Sequence, residues 1–330
     1  MHTHHMTRRQ TSTALVWACL VLGSLSTTAT AQTAFPTKPI TLVVTYPPGG
    51  GADGMARLIA PKMGEALGQS VVIENKPGAS GQIGASAVAK ATPDGYTLLM
   101  GSEIVAINTS LYSKLNYDPL KDLTPVGLVG TAPVVLVASP KHNVKNLDQF
   151  LALVKSKPGR FSYGSSGVGS TLHFAGELIK QRAGLFMTHI PYRGTAPLIS
   201  DLVGGSIDFA MMSPTSAAPF IENNRLIGLG VTSAQRFPTL PQVPALVEHP
   251  AFKGYELSGW FALAGPRGLP EPIAQRLRTA LQAGLQESGF RQRLEQGGSF
   301  PSSGKEDVLK VMRSDIALYG ELVKFANIRD

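Results

Sequence analysis

The feature that most limits what this chain can fold into is an alternation. Short apolar runs closed by glycine, serine or proline hand over repeatedly to stretches whose apolar residues recur at helical spacing. Ile40 to Val44, Val71 to Ile73 and Tyr96 to Met100 read as strands, with helices from Asp53 to Leu67 and Gln82 to Ala91 between them. Such a βαβαβ order calls for a parallel sheet with crossover helices. Pro61 falls inside the first helical pattern and is expected to kink it.

A second series follows. Val134 to Ala138, Phe161 to Gly164, Met187 to Pro191, Asp208 to Met212 and Leu226 to Thr232 read as strands, and Leu147 to Lys155, Thr171 to Arg182 and Ala196 to Val203 as helices. The tail then changes character, with one strand from Leu257 to Ala264, a helix from Pro270 to about Glu287, and a long helix from Lys305 to Phe325. One strand with helices makes no independent sheet, so the tail is expected to pack back on the first series. The chain then crosses twice between two α/β lobes, near Thr131 and near Tyr255. The expected division is residues 32–131 with 257–330 as the first lobe and 132–256 as the second, with the paired crossings as a hinge.

Residues 1–31 differ in kind. Arg8 and Arg9 precede the apolar stretch Ala14 to Leu25, and small residues lead to Ala29-Thr30-Ala31, the order of a secretory leader cleaved after Ala31. The apolar stretch is short of the ~20 residues a membrane span needs. Gln10-Thr11-Ser12 is a poor continuation of a twin-arginine signal, which favours the general secretory route. The only cysteine, Cys19, lies within this leader, so the exported chain is expected to have no disulfide, thiolate metal site or cysteine nucleophile. The formal charge of +8 falls by two when Arg8 and Arg9 leave, and the remaining basic residues are scattered rather than gathered in a stripe. That argues against nucleic acid and is compatible with an anionic solute.

Three glycine-rich loops stand between strands and helices. Tyr46-Pro47-Pro48-Gly49-Gly50-Gly51-Ala52-Asp53 contains a Gly-x-Gly-x-x-Gly spacing with Glu74 twenty residues beyond Gly54, the spacing of a dinucleotide fingerprint. Asn75-Lys76-Pro77-Gly78-Ala79-Ser80-Gly81 and Gly164-Ser165-Ser166-Gly167-Val168-Gly169-Ser170-Thr171 occupy equivalent places. Each offers backbone N–H groups at the positive end of a helix dipole, at the strand ends where open α/β sheets bind ligands. None carries the Gly-Lys-Ser/Thr ending of a P-loop. Tyr192-Arg193-Gly194 adds a cation able to meet a carboxylate or to balance Asp208.

Catalytic constellations are missing from the sequence pattern. Gln82 and Val168 stand where a nucleophile elbow around Ser80 or Ser166 needs glycine. His173 follows Ser170 at helical spacing and reads as structural before it reads as a base; the other histidines are isolated, and no metal-ligand spacing occurs. Asp53 reads as an organiser of its glycine loop. Pro47-Pro48 ahead of the glycines and the turn after Glu74 weigh against an exported NAD(P)-dependent oxidoreductase, which stays as the alternative.

The first two loops, together with Pro93-Asp94-Gly95-Tyr96-Thr97-Leu98-Leu99, Pro191-Tyr192-Arg193-Gly194 and Asp208-Phe209-Ala210, closely resemble the Bug family, the periplasmic receptors of tripartite tricarboxylate transporters. The resemblance runs from the leader to the last helix. It implies a two-lobed, type II Venus-flytrap fold and a periplasmic, monomeric, non-enzymatic binding protein without cofactor or metal. It also implies a small carboxylate as ligand and permease subunits as partners, with a sensor kinase as an alternative partner. The first-lobe ligand set it implies is Tyr46, Gly49, Gly50, Asp53, Ser80 and Gly81, with Ser102 and Thr131 near the cleft floor. The second-lobe set is Ser166, Gly167, Ser170 and Thr171, with His173, Tyr192, Arg193 and Asp208 as neighbours. Where the family often has lysine at position 193 this chain has arginine.

Overall fold

A computed structural model describes residues 35–49 and 51–328. The leader lies outside the described residues, as does Gly50. The first sheet opens with β1 (Ile40–Val44), followed by α1 (Gly51–Leu67), β2 (Val71–Asn75), α2 (Gln82–Ala89), β3 (Thr97–Ser102), α3 (Ile104–Leu111) and β4 (Leu123–Ala132). β1 pairs in parallel with both β2 and β3, as the βαβαβ pattern requires. Helix α1 continues through Pro61 to Leu67. It buries Met55, Ile59 and Met63, which recur at four-residue intervals and therefore share one face.

The second sheet contains β5 (Val135–Ala138), β6 (Ser162–Ser165), β7 (Thr188–Pro191), β8 (Phe209–Met212) and β9 (Ile227–Val231), in the order β7-β6-β8-β5-β9. Between them run α4 (Leu147–Ser156), α5 (Thr171–Ala183), α6 (Thr195–Gly204) and α7 (Pro214–Glu222). α4, α5 and α7 begin at the side-chain caps Asn146, Ser170 and Ser213, each accepting from an amide three residues on. β6 is parallel to β7 and β8, whereas β5 is antiparallel to β8 and β9.

The tail returns to the first sheet. β10 (Gly259–Pro266) inserts antiparallel between β3 and β4, and after α8 (Glu271–Gln286) and α9 (Ser288–Gln296) the short β11 (Phe300–Pro301) caps the β4 edge. The last helix, α10 (Val308–Phe325), packs on α3 of the first lobe and on α5 of the second. Two sheets flanked by helices thus form a two-lobed α/β protein, with β1, β2, β3 and β6 all ending toward the space between the lobes.

Candidate functional site between the lobes

The glycine loop after β1 is framed from inside by one carboxylate. Asp53, in the first turn of α1 and almost fully buried, accepts from the Gly49 amide at 2.9 Å, from Asn75 Nδ2 at 2.9 Å and from Arg57 Nε and Nη2 at 2.8 and 3.0 Å. Asn75 also donates to the Tyr46 carbonyl at 3.0 Å, tying the loop to the end of β2. The Arg57 guanidinium, foremost among these partners, holds the Asp53 carboxyl down to about 2. Gly49 and Asp53 therefore build the loop, and Gly51 and Ala52 in the first turn of α1, whose amides have no intrahelical acceptor, line the space beside it.

The next loop is held in a conformation that few side chains adopt. Ala79 and Ser80 have φ of 46° and 49°, and Gly81 has φ of 82° and packs against Thr45, where a Cβ would come within 3.2 Å. The Ser80 carbonyl accepts from Asn108 Nδ2 at 2.9 Å, and its hydroxyl meets that of Tyr112 at 2.9 Å. Tyr46 Oη lies 3.1 Å from Ser102 Oγ at the end of β3. Burial, reinforced by the nearby Glu103, pushes the Tyr46 phenol up, so Tyr46 stays a neutral donor.

In the second lobe the loop after β6 rests on stacked imidazoles. The His173 and His189 rings are 3.8 Å apart at 12°. His173 Nδ1 accepts from the Gly169 amide at 3.2 Å, and His189 Nε2 lies 2.7 Å from Ser165 Oγ, which in turn accepts from the Gly167 amide at 3.2 Å. Burial lowers both imidazoles to about 4, which keeps His173 neutral and able to accept. Ser170 closes the loop by accepting from the His173 amide at 3.2 Å. The support continues below, where Tyr163 and Lys180 both donate to buried Glu177.

These loops enclose a cavity of about 550 Å³, within the range of small-molecule sites. Of the expected residues, Tyr46, Ser80 and Ser102 line it from one lobe, and Ser166, Gly167, Ser170 and Thr171 from the other. A groove of about 580 Å³ lies outside α1 and β2 but is lined by one lobe, without converging loops.

The remaining expected residues take other places. His173 is buried beneath the loop, Gly81 behind Ser80, and Thr131 within β4 opposite Trp260 and Phe300. Tyr192 donates its hydroxyl to Asp201 at 2.8 Å and its amide to the Ser165 carbonyl, so it braces the loop from behind, and Arg193 is exposed. Asp208 is placed at the amino end of β8, beside Ser162 at the amino end of β6, whereas the loop lining the cavity follows the carboxyl end of β6. Its carboxylate is taken by Lys141 at 2.9 Å, His142 at 2.7 Å and the Ser162 amide at 2.7 Å, so it is not the partner of Arg193. Glu74 points to solvent in an ion pair with Lys76 at 3.1 Å and does not face the glycine loop. Among the described residues no cluster of His, Cys, Asp and Glu is arranged for a metal, and no helix is long and apolar enough to cross a membrane.

Sequence reasoning missed Glu103, Ile104 and Phe261 in the lining. Glu103 is the one charged side chain among the described lining residues. The signal for it was a lone carboxylate between the apolar strand ending at Met100 and the apolar helix opening at Ile104.

Residues 55–328 match the model of the tripartite tricarboxylate transporter family receptor. The chain is 37% identical over 295 residues to the UPF0065 protein in the tcbD-tcbE intergenic region of Pseudomonas sp. strain P51, covering 89% of this chain and 88% of that one. It is 35% identical over 269 residues to protein BugT of Bordetella pertussis, covering 81% and 82%. Among solved structures it is similar to the periplasmic binding protein BugD (32% identity, TM-score 0.71, 89% of this chain and 99% of that one). It is also similar to R. palustris Rpa4515 with adipate (34%, TM-score 0.73, 89% and 99%) and to MatC from Rhodopseudomonas palustris with bound malate (32%, TM-score 0.70, 88% and 100%). The two-lobed fold, the glycine loops meeting across one cavity and these matches agree, and the chain belongs to the tripartite tricarboxylate transporter receptor family.

Proposed function

We propose that this protein captures a small carboxylate between its lobes, releases it unaltered, and delivers it as a monomer to the permease subunits of a tripartite tricarboxylate transporter. The leader at 1–31 directs it to the periplasm. The lobes are 32–131 with 257–330 and 132–256, moving about the strands that join them. The observation that carries the reading is the convergence on one cavity of the first turns of α1 and α5 with the hydroxyls of Tyr46, Ser80, Ser102, Ser166, Ser170 and Thr171. A helix terminus contributes roughly 0.3–2 kcal/mol to a bound anion, whereas micromolar affinity needs about 8 kcal/mol. Two termini fall short, and the hydroxyls whose protons are not already given to Glu103 or the Gly167 carbonyl, as those of Thr171 and Ser170 are, supply the difference together with water exclusion on closure. The solved relatives with adipate and malate support a carboxylate as the solute class.

Titration calorimetry on protein stripped of small molecules by unfolding and refolding tests this directly. One saturable site of micromolar or tighter affinity for a small carboxylate is expected, weakened about tenfold or more by Ser80→Ala combined with Ser166→Ala. Silence toward every acid in a broad carboxylate library would overturn it.

A further inference from the structure

The one charge in the lining is negative, which is the wrong sign for a cleft that takes an anion. Glu103 precedes α3 and meets two other elements, α5 and β10, at once. Its Oε1 accepts from the Thr171 hydroxyl at 2.5 Å across the cleft, and its Oε2 accepts from the Trp260 amide at 3.0 Å in β10. Gly259 lies so close that a Cβ there would come within 3.0 Å of Oε1. Two hydrogen bonds, one from each side, thus hold the carboxylate in place.

Its surroundings hold no counter-charge among the described residues. The titratable groups that face it are Tyr46 from the loop after β1 and Asp315 and Tyr319 from α10, all acidic, and Asp315 is itself engaged by the Trp260 indole at 2.6 Å. Burial pushes the Glu103 carboxyl up, the hydrogen bonds donated by Thr171 and the Trp260 amide work against that, and a cationic group brought into the cavity would favour the charged form further. A carboxylate has about four lone-pair positions. Thr171 and Trp260 take two, which leaves acceptor capacity on a side chain that lines the cavity.

We propose that Glu103 sets the ligand class: it turns away a second carboxylate at its end of the cleft and takes a hydrogen-bond-donating group there, an ammonium above all. This rests on the carboxylate-binding reading and narrows it, from acids in general to acids bearing a donor, such as amino acids or hydroxy acids. The first carboxylate goes to the neutral donors of the remaining wall, around Gly51, Ala52, Ser80 and the first turn of α5. A charge-assisted hydrogen bond, or its loss, is worth about tenfold or more in affinity, enough to decide between ligands of one skeleton.

The test is calorimetry on the full exported chain, stripped as above, with matched sets sharing one carboxylate: butyrate, γ-aminobutyrate and succinate; their three- and five-carbon counterparts; and benzoate with its aminomethyl and para-carboxylate derivatives. In the set that binds best, the wild type is expected to hold the amino acid about tenfold or more tighter than the diacid. Glu103→Gln keeps the acceptor for Trp260 and should shrink or invert that ratio by about tenfold, while Glu103→Asp, which keeps the charge, should preserve the order. Wild-type preference for the diacid overturns the proposal without any variant, and so does an unchanged ratio in a folded Glu103→Gln protein. If acids bind but the ratio ignores Glu103, only this inference fails. If no acid binds the wild type, the carboxylate reading falls and this one with it.

Discussion

Removing the charge of Asp53 gives the sharpest test of how the glycine loop is built. Asp53 Oδ2 accepts from the Gly49 amide and Arg57 Nε, and Oδ1 from Asn75 Nδ2 and Arg57 Nη2. Asparagine keeps one oxygen, so either Gly49 or Asn75 must face an amide NH2, donor against donor. Hydrogen bonds to charged groups are worth about 1.5–3 kcal/mol, and a stranded buried donor costs about 1–3 kcal/mol. Asp53→Asn should therefore cost about 2–3 kcal/mol. Arg57 is half exposed, and its pair with Asp53 is an i,i+4 surface bridge on that side, so Arg57→Ala should be the milder change. The carboxyl is held down to about 2, below its unfolded value. Its stabilisation is accordingly present above about pH 4 and lost as pH falls through about 2. Thermal melts of both variants at neutral pH give the stability order, and calorimetry with whichever acid binds the wild type gives affinity, expected to drop about tenfold for Asp53→Asn because Gly51 and Ala52 lose their frame. If Asp53→Asn proves as mild as Arg57→Ala, or destabilises without weakening binding, the loop is not framed from Asp53.

Three further outcomes follow from buried groups. Burial raises Asp315 to about 6, so its charge opposes folding: stability is full below about pH 4, falls as pH rises through about 6, and Asp315→Asn should recover up to about 3 kcal/mol at pH 7 but little at pH 4, read by denaturant midpoints. His173 moves oppositely, because its lowered value of about 4 means stability present above pH 6.5 and lost as pH falls through about 4; His173→Gln, which retains an acceptor for the Gly169 amide, should flatten that acid loss of about 3 kcal/mol. Gly176→Ala should cost about 1–3 kcal/mol in melting experiments, since its Cβ would lie 2.2 Å from the Tyr163 ring, whose hydroxyl is bound to Glu177 at 2.6 Å.

How much of this was legible in the sequence depended on whether a feature was local. The strands β1 and β6 and the helices α5 and α10 carry their own periodicity and emerge within three residues of the sequence reading. β4 (Leu123–Ala132) went unread because its proline, two glycines and two threonines break the apolar run; its strand character comes from pairing with β10 on one side and β11 on the other. α7 was hidden by Pro214 and Pro219, although Ser213 supplies the cap that starts it. In the site, loops adjoining strand ends were found because glycine and serine mark them. Glu103 and Phe261 come from the third strand end and the returning strand, and only the three-dimensional order β4-β10-β3 brings them to the cavity. Asp208 was misplaced for a reason visible beforehand: it opens a strand, and the loops that bind close theirs.

The contacts between the lobes are unequal on the two sides of the cleft, and this bears on how such a molecule opens. Away from the residues that line the cavity, α10 lies against both α3 and α5, with the Phe174 and Tyr319 rings 5.0 Å apart, and Phe300 beside β4 meets Phe237 of the other lobe at 4.9 Å. Each of Phe174, Tyr319 and Phe237 is fully buried or nearly so, and burying one such side chain is worth about 1.5–3 kcal/mol, with up to about 1.5 more for an aromatic pair. Within the cavity, the polar contact across the cleft is Thr171 to Glu103, a bond whose net worth is about 1.5–3 kcal/mol. Parting the aromatic contacts would therefore cost several times more than parting Thr171 from Glu103. If the lobes part as proposed, motion that keeps the aromatic contacts and separates Thr171 from Glu103 is the inexpensive path, and a ligand whose affinity for the two forms differs by a few kcal/mol would move the population. The residue that lines the cavity thus also joins its two walls, so under the proposed function the group Glu103 accepts and the firmness of closure would both be set by one carboxylate.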